Sequence, residues 1–232
     1  AHAISAHVMD EIALWDLVLS PGIRFERIET GFENLTTGEQ NVGTQQAFLP
    51  GVGALYELLN FNNGPRVSLL AGVHQGFSPI APGRGLGVQP EQSVNYEGGT
   101  RLGWGAATLE AIGFFNDYSN LTAECTFSKG CPEEQLGDQI NAGRVNLWGV
   151  EVAGAHDFQT PIELTLPVRV AYTYTGTRFL NSFVSDNPQF GDVERGDELP
   201  YVPAHQGSLS LGAVFPDFGI QLTGKGMSEM RE

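Results

Sequence analysis

Apolar and polar residues alternate along most of this chain, in segments that are joined by connections of two very different lengths. A period of two is the period of a β-strand, whose successive side chains point to opposite faces. Ten such segments can be counted, with no convincing helix between them. Short turns near residues 16, 63, 104, 160 and 217 alternate strictly with long polar loops near residues 42, 85, 132 and 190. All the short turns therefore lie at one end of the strands, and all the long loops at the other.

This asymmetry predicts an all-β fold, an antiparallel transmembrane β-barrel. Outer-membrane barrels have short periplasmic turns and long external loops, and their strands need about 9–11 residues to cross the bilayer. Several segments here exceed the usual length of about five or six residues for soluble strands. One face carries Val, Leu, Ile, Phe and Tyr, while the other carries Ser, Thr, Asn, Arg, Glu and Gly. Lipid outside and a wet lumen inside explain that division.

The clearest hairpin covers residues 91–118, with Trp104 at its short turn and the third long loop after Tyr118. Aromatic residues concentrate at both membrane interfaces of such barrels. We therefore expect an inner girdle and an outer girdle, the inner one with Trp15 and Trp104 and the outer one with Phe25, Phe77, Tyr118 and Tyr174. Scattered aromatic residues also pack the core of a soluble secreted β-sandwich, a binding or carbohydrate-active protein, and that alternative stays open at this point.

Composition excludes some classes of protein. The net charge of −15 repels phosphate groups, so a nucleic-acid partner is not expected. No run of about 18 apolar residues is present, so no transmembrane helix is predicted. The chain begins without a signal peptide and ends in a segment that has the pattern of a strand. We therefore expect it to be part of a longer protein.

The two cysteines, Cys125 and Cys131, lie in a polar loop. No His-x-His motif or second cysteine pair accompanies them, so a zinc site is poorly supported. A local disulfide formed in an oxidising compartment is the favoured interpretation, and two free thiols are the alternative.

Several segments resemble the barrel region of TonB-dependent outer-membrane receptors, and in particular the branch that includes ferric-dicitrate-type receptors. They are LPGVG (49–53), AGVHQGFSP (71–79), PEQSVNYE (90–97), GFFNDY (113–118), CTFSKGC (125–131), GDQ (137–139) and GDELPYVP (196–203). The resemblance covers nearly all 232 residues.

This resemblance implies a barrel of about 22 strands whose lumen holds an N-terminal plug domain. It also implies import of a ferric siderophore or similar chelate across the outer membrane of a Gram-negative bacterium, driven by the TonB–ExbB–ExbD complex through the plug. Residues 1–232 then form part of the C-terminal barrel domain, without the plug and the last strands. No enzymatic activity and no cofactor are expected, and the lipid partners are outer-membrane lipid and lipopolysaccharide. A passive porin-type barrel is the first alternative.

Candidate ligand contacts are His74 on the lumenal face and three arginines in or near the outer loops, Arg84, Arg178 and Arg195. Cationic donors suit a chelated ferric anion. Each of these residues also has a plain structural explanation, as a solvated loop arginine or a hydrogen-bonded wall histidine.

Other charged groups suggest no catalysis. Glu97 falls on the lumenal face near Arg101, where a charge pair is expected rather than acid–base work with Glu91. The acidic loop at 186–198 offers oxygen ligands, but its spacing is not that of an EF-hand, so a solvated or lipopolysaccharide-facing loop is expected there rather than a metal site.

Overall fold

The computed structural model describes residues 1–33, 35, 38, 40–62, 64–80, 89–126, 131, 133, 136, 139–185 and 190–231. Its strands are β1 (His2–Met9), β2 (Ile12–Leu14), β3 (Leu17–Glu33), β4 (Gln40–Asn60), β5 (Arg66–Ser78), β6 (Glu91–Trp104), β7 (Ala107–Ser119), β8 (Thr122–Glu124), β9 (Gln139–Asn141), β10 (Val145–Gln159), β11 (Thr165–Phe179), β12 (Phe183–Val184), β13 (Asp192–Val193), β14 (His205–Val214) and β15 (Gly219–Met227).

Ten of these strands form one antiparallel sheet in the order β1-β3-β4-β5-β6-β7-β10-β11-β14-β15, and β2 continues the line of β1 along β3. Each long strand pairs with the next long strand of the chain, as the alternation of turns and loops predicts. The two ends of the sheet, β1 and β15, do not pair with each other. Two further hairpins, β8–β9 and β12–β13, lie within the long outer connections. None of the described residues forms a helix long and apolar enough to cross a membrane.

The cross-strand register assigns every side chain of the sheet to one of two faces. Directly opposed residues share a face, so the row Val52, Val73, Tyr96, Phe115 and Trp148 lies on one side of five successive strands. This face is apolar across the whole sheet and includes Ile4, Val8, Phe48, Leu69, Leu109, Val150, Val170, Leu209 and Leu222.

These apolar side chains are not covered by any described part of the chain. Val150 is 44% exposed, Leu209 47% and Leu222 72%. An apolar surface of this extent needs another apolar phase against it, and a bilayer supplies one. The opposite face carries the polar residues Arg24, Ser68, His74, Asn95, Glu97, Arg101, Glu151, Thr173, Ser208 and Thr223. The predicted division into a lipid face and a lumenal face is confirmed.

The aromatic girdles agree with the predicted positions, with one exception. Phe25 packs on Phe48 with ring centroids 4.9 Å apart on the lipid face, and Trp104 lies 65% exposed at the opposite ends of the strands. Tyr118 is the exception, because its register partners Ser93 and Val145 place it on the lumenal face. The prediction for Tyr118 was wrong, since closeness to a loop does not determine which face a side chain takes.

The first long loop is shorter than the sequence suggested. Residues 36–46 were expected to form a polar loop, but β3 extends to Glu33 and β4 begins at Gln40, and the two strands pair from Leu17–Tyr56 to Glu33–Gln40. A hairpin that projects beyond the membrane has water on both faces. Its sequence therefore needs no apolar alternation, and the pattern used to recognise strands is absent there.

Candidate functional site

The lumenal wall is the first candidate site, and most of its arginines are already paired. Arg101 forms an ion pair with Glu110, its direct neighbour on β7, at 2.5 Å, and Arg24 pairs with Glu26. The predicted pair of Glu97 with Arg101 is therefore wrong. Glu97 lies four residues away along β6, about 13 Å at the usual rise per residue, whereas Glu110 lies directly across the ladder.

Two carboxylates of the lumenal wall have no basic partner among the described residues. Glu97 and Glu151 are both exposed, and the register places Phe114 opposite Glu97 and Ile112 opposite Glu151. They rim a concavity of about 410 Å³ whose lining also includes His74, Asn95, Asn116, Leu147 and Thr175. An apolar floor with two free carboxylates at its edge suits a surface that carries both apolar and cationic groups.

A second depression, of about 440 Å³, adjoins the first and shares His74 and Glu97 with it. Its floor is rich in glycine, and at two of these glycines a neighbouring side chain lies close to the backbone. A Cβ at Gly72 would lie 2.8 Å from Glu97 Oε1, and a Cβ at Gly51 would lie 2.9 Å from His74 Cβ. Glycine therefore allows the side chains of Glu97 and His74 to lie close against the wall.

The four predicted ligand contacts are not brought together. His74 faces the lumen, as the alternation indicates. Arg178 lies on the opposite, outward face, with its guanidinium 5.8 Å from the centre of the Trp148 ring. Arg195 is exposed in the turn after β13, where its backbone N–H donates to Ser182 Oγ at 2.9 Å. Arg84 lies outside the described residues.

The outer loops form a second candidate site, with a core of their own. Ala142, Val145, Phe179, Phe190 and Val193 are buried together, whereas the barrel wall below contributes few buried apolar side chains. Tyr118, Val145 and Phe179 share one register row on the lumenal side, so this core lies over the lumenal side of the wall. We call the described residues of the segments 120–145 and 179–204 the outer loop unit.

Aromatic and backbone contacts hold the outer loop unit together. Phe179 meets Phe183 and Phe190 edge-on, with centroids 5.6 and 6.1 Å apart. The N–H of Leu180 donates to the carbonyl of Arg144 at 2.9 Å, and the N–H of Arg144 donates to Asn181 Oδ1 at 2.7 Å. The two loops are therefore bonded to each other as well as to their own strands.

A disulfide joins Cys125 and Cys131 in the first of these loops, as predicted, and both residues are buried. The alternation of apolar and polar residues could not reveal the loop core, because loop residues follow no period. The available signal was the presence of three phenylalanines, Phe179, Phe183 and Phe190, in an otherwise polar segment.

No group of three or more His, Cys, Asp or Glu side chains that could hold a metal ion occurs in the described part of the chain.

An antiparallel wall with a lipid face, a polar lumenal face and folded external loops defines an outer-membrane β-barrel protein. The family model of the TonB-dependent receptor-like β-barrel matches residues 2–227. The chain belongs to this family, whose members are transport receptors rather than enzymes, and it is therefore part of a β-barrel of the Gram-negative outer membrane. The soluble β-sandwich alternative is thereby excluded.

Individual relatives agree with this assignment. The pesticin receptor of Yersinia pestis is 26% identical over 171 residues, which cover 66% of this chain and 22% of that protein. The unliganded ferric citrate transporter FecA superposes with a TM-score of 0.70 at 22% identity, covering 97% of this chain and 32% of FecA. The ferric yersiniabactin uptake receptor FyuA from Yersinia pestis gives 0.64 at 22% identity, covering 94% and 32%. The chain thus spans about a fifth to a third of the length of these proteins, and the two structures show the fold alone.

Proposed function

We propose that this chain is part of a receptor that imports a ferric siderophore or a similar iron chelate, captured by the long external loops. The observation that carries the proposal is the folded outer loop unit above a polar lumenal wall with exposed His74, Glu97 and Glu151. A pore for small solutes needs no folded unit of this kind over its mouth. The names of the relatives, which include a ferric citrate transporter and a ferric yersiniabactin uptake receptor, support an iron chelate as the cargo.

The proposed mechanism involves no chemistry on the cargo. Residues 1–232 supply part of the C-terminal barrel domain, and the complete protein adds a plug domain and the remaining strands. The external loops and the plug bind the chelate, and the TonB–ExbB–ExbD complex then rearranges the plug. No cofactor is needed, because the ferric chelate is the cargo.

We retain His74, Arg84, Arg178 and Arg195 as proposed contacts of the chelate, in two groups. His74 reaches cargo that has entered the lumen, because its imidazole lines both lumenal depressions. Arg195 meets cargo at the external surface, and Arg84 is assigned to the same step from its position in the sequence. Arg178 faces outward at the loop end of β11, so it belongs with the arginines that meet cargo at the external surface.

The two free carboxylates give the plug a place to dock. A charged group in the crowded lumen of a plugged barrel needs a counter-charge, and basic side chains of the plug supply it. Changing Glu97→Gln and Glu151→Gln together removes both charges, and each lost charge-assisted hydrogen bond is worth about 1.5–3 kcal/mol. We expect the plug of the full-length protein to unfold at a lower urea concentration and cells to become sensitive to bulky antibiotics.

Glu29→Gln is the matched control, because Glu29 is an exposed carboxylate on the outward face, paired with Arg27. It should leave antibiotic sensitivity and plug unfolding unchanged. Equal behaviour of the double variant and this control would contradict the docking role of Glu97 and Glu151.

Growth on a panel of ferric chelates tests the proposed function as a whole. Cells that lack the complete gene and its functional equivalents should fail on one chelate or one chemical group of chelates, and the intact gene should restore growth. Restoration should require TonB. Uptake that continues without TonB would favour a passive pore, and growth that is unaffected on every ferric chelate would refute iron uptake.

A further inference from the structure

The wall of the barrel is split between β4 and β5 in its outer half. Backbone pairing of the two strands runs from Asn60–Arg66 to Gly51–His74 and stops there, although both strands continue. Six residues further along, Gln45 of β4 and Ile80, just past the end of β5, meet again in the same register. Here the contact is made by a side chain: Gln45 Nε2 donates to the Ile80 carbonyl at 3.1 Å, and the Ile80 N–H donates to Gln45 Oε1 at 2.8 Å. The split is therefore a slot closed at both ends.

Proline at position 50 explains why the ladder stops. In an antiparallel strand, the backbone groups of successive residues point alternately to the two neighbouring strands. The N–H of Glu57 donates to the carbonyl of Asp16, just before β3, and the β3–β4 register is unbroken, so odd-numbered residues of β4 face β3. Even-numbered residues, Pro50 included, face β5. Pro50 has no N–H, so the bond expected at the position of Gln75 cannot form.

Beyond Pro50 no register pair joins the two strands. Phe48 and Gln46 on β4 and Phe77 on β5 direct their N–H and carbonyl groups into the slot, together with the carbonyl of Gln75, for which Pro50 has no N–H to donate. The space has a volume of about 270 Å³. On the lumenal side Ala47 and Ser93 are each only 8% exposed, whereas the side chains on the outward side include the exposed Gln46, Gln75 and Gln92. The slot is accordingly polar and opens toward the membrane.

The position of the slot along the membrane normal determines what can occupy it. Phe48 belongs to the outer aromatic girdle through its contact with Phe25, and Phe77 lies level with Phe48 across the slot. Aromatic girdles mark the boundary between acyl chains and headgroups. Unpaired backbone groups at this depth are costly unless a polar partner reaches them, and acyl chains offer none. The headgroups of the outer leaflet lie at the right height.

We propose that this slot binds the sugar headgroup of an outer-leaflet glycolipid. Sugar hydroxyls both donate and accept hydrogen bonds, which matches the amides of Gln46, Gln75 and Gln92 and the free N–H and carbonyl groups between them. The aromatic rings of Phe48 and Phe77 flank the same opening and offer apolar faces to a sugar ring. This site is independent of the imported cargo, because it faces the lipid and not the lumen.

Retention of lipopolysaccharide by the full-length protein tests the assignment. The protein is reconstituted in nanodiscs with purified lipopolysaccharide of short sugar chain, and native mass spectrometry measures the bound fraction. The triple variant Gln46→Ala, Gln75→Ala, Gln92→Ala should retain about tenfold less, because three sugar-directed hydrogen bonds are removed. The control changes Gln206→Ala and Gln221→Ala on the lumenal face, and it should bind as the unchanged protein does.

A second variant closes the slot by backbone pairing instead of removing its glutamine side chains. Pro50→Val restores the missing backbone N–H, so the β4–β5 ladder should continue past Gly51. We expect slower hydrogen exchange at the amides of Phe48 and Phe77 together with lower lipopolysaccharide retention. In the unchanged protein, lipopolysaccharide should slow exchange at those amides and phosphatidylethanolamine alone should not. Equal retention by the glutamine variant and its control, or equal exchange in the two lipids, would overturn the proposal.

Discussion

Replacing Phe179 with alanine should unfold the outer loop unit and abolish chelate uptake while leaving the barrel in the membrane. Phe179 is completely buried and meets both Phe183 and Phe190. Truncation of a buried phenylalanine costs about 3–5 kcal/mol. A loop core of five buried residues has few other contacts to offset that loss, so the unit should open rather than relax around a cavity.

Limited proteolysis of whole cells measures this effect, because the external loops are accessible there. The variant should be cut rapidly in the loops that follow β7 and β11, and its barrel should keep the heat-dependent gel mobility of a folded outer-membrane protein. Phe218→Ala is the control, since Phe218 is 58% exposed at a short turn on the periplasmic side. Uptake and protease resistance equal to those of the control would show that the loop core is dispensable.

A lysine at position 152 should oppose insertion of the barrel into the bilayer. Val152 lies at the middle of β10 on the lipid face, opposite Ala111 and Tyr172. Lysine or arginine on the lipid face at the bilayer midplane costs about 2–4 kcal/mol. We expect the Val152→Lys protein to unfold at a lower denaturant concentration in lipid and to accumulate less in outer membranes.

The neighbouring position gives a matched control for this change. Ala153 is the next residue of the same strand, and its register partners Glu110 and Ala171 place it on the lumenal face. Ala153→Lys puts the same charge at the same depth on the polar lumenal face, beside the Arg101–Glu110 ion pair, so stability should change much less. Equal losses for the two variants would contradict the assignment of the faces.

The alternation of apolar and polar residues predicted the barrel wall well, because it depends only on residues that are close in the sequence. Any residue two positions from a lipid-facing side chain in the same strand also faces lipid. That rule alone places Tyr172 and Tyr174 outward and His74 toward the lumen, and it also places Arg178 outward, with Tyr174. The rule requires one apolar face, so it failed for the polar hairpin of β3 and β4 beyond the membrane, where water lies on both faces.

Sequence by itself thus determined the class of fold, the number of strands in the wall, the two faces and the family. Contacts between distant residues were decided only by tertiary structure. Arg101 pairs with Glu110 and not with Glu97 because Glu110 is its neighbour on the adjacent strand. The core around Phe179 forms because two long loops meet above the wall. Pro50 opens a slot because the register turns its nitrogen toward β5, a direction that depends on which strands lie on either side.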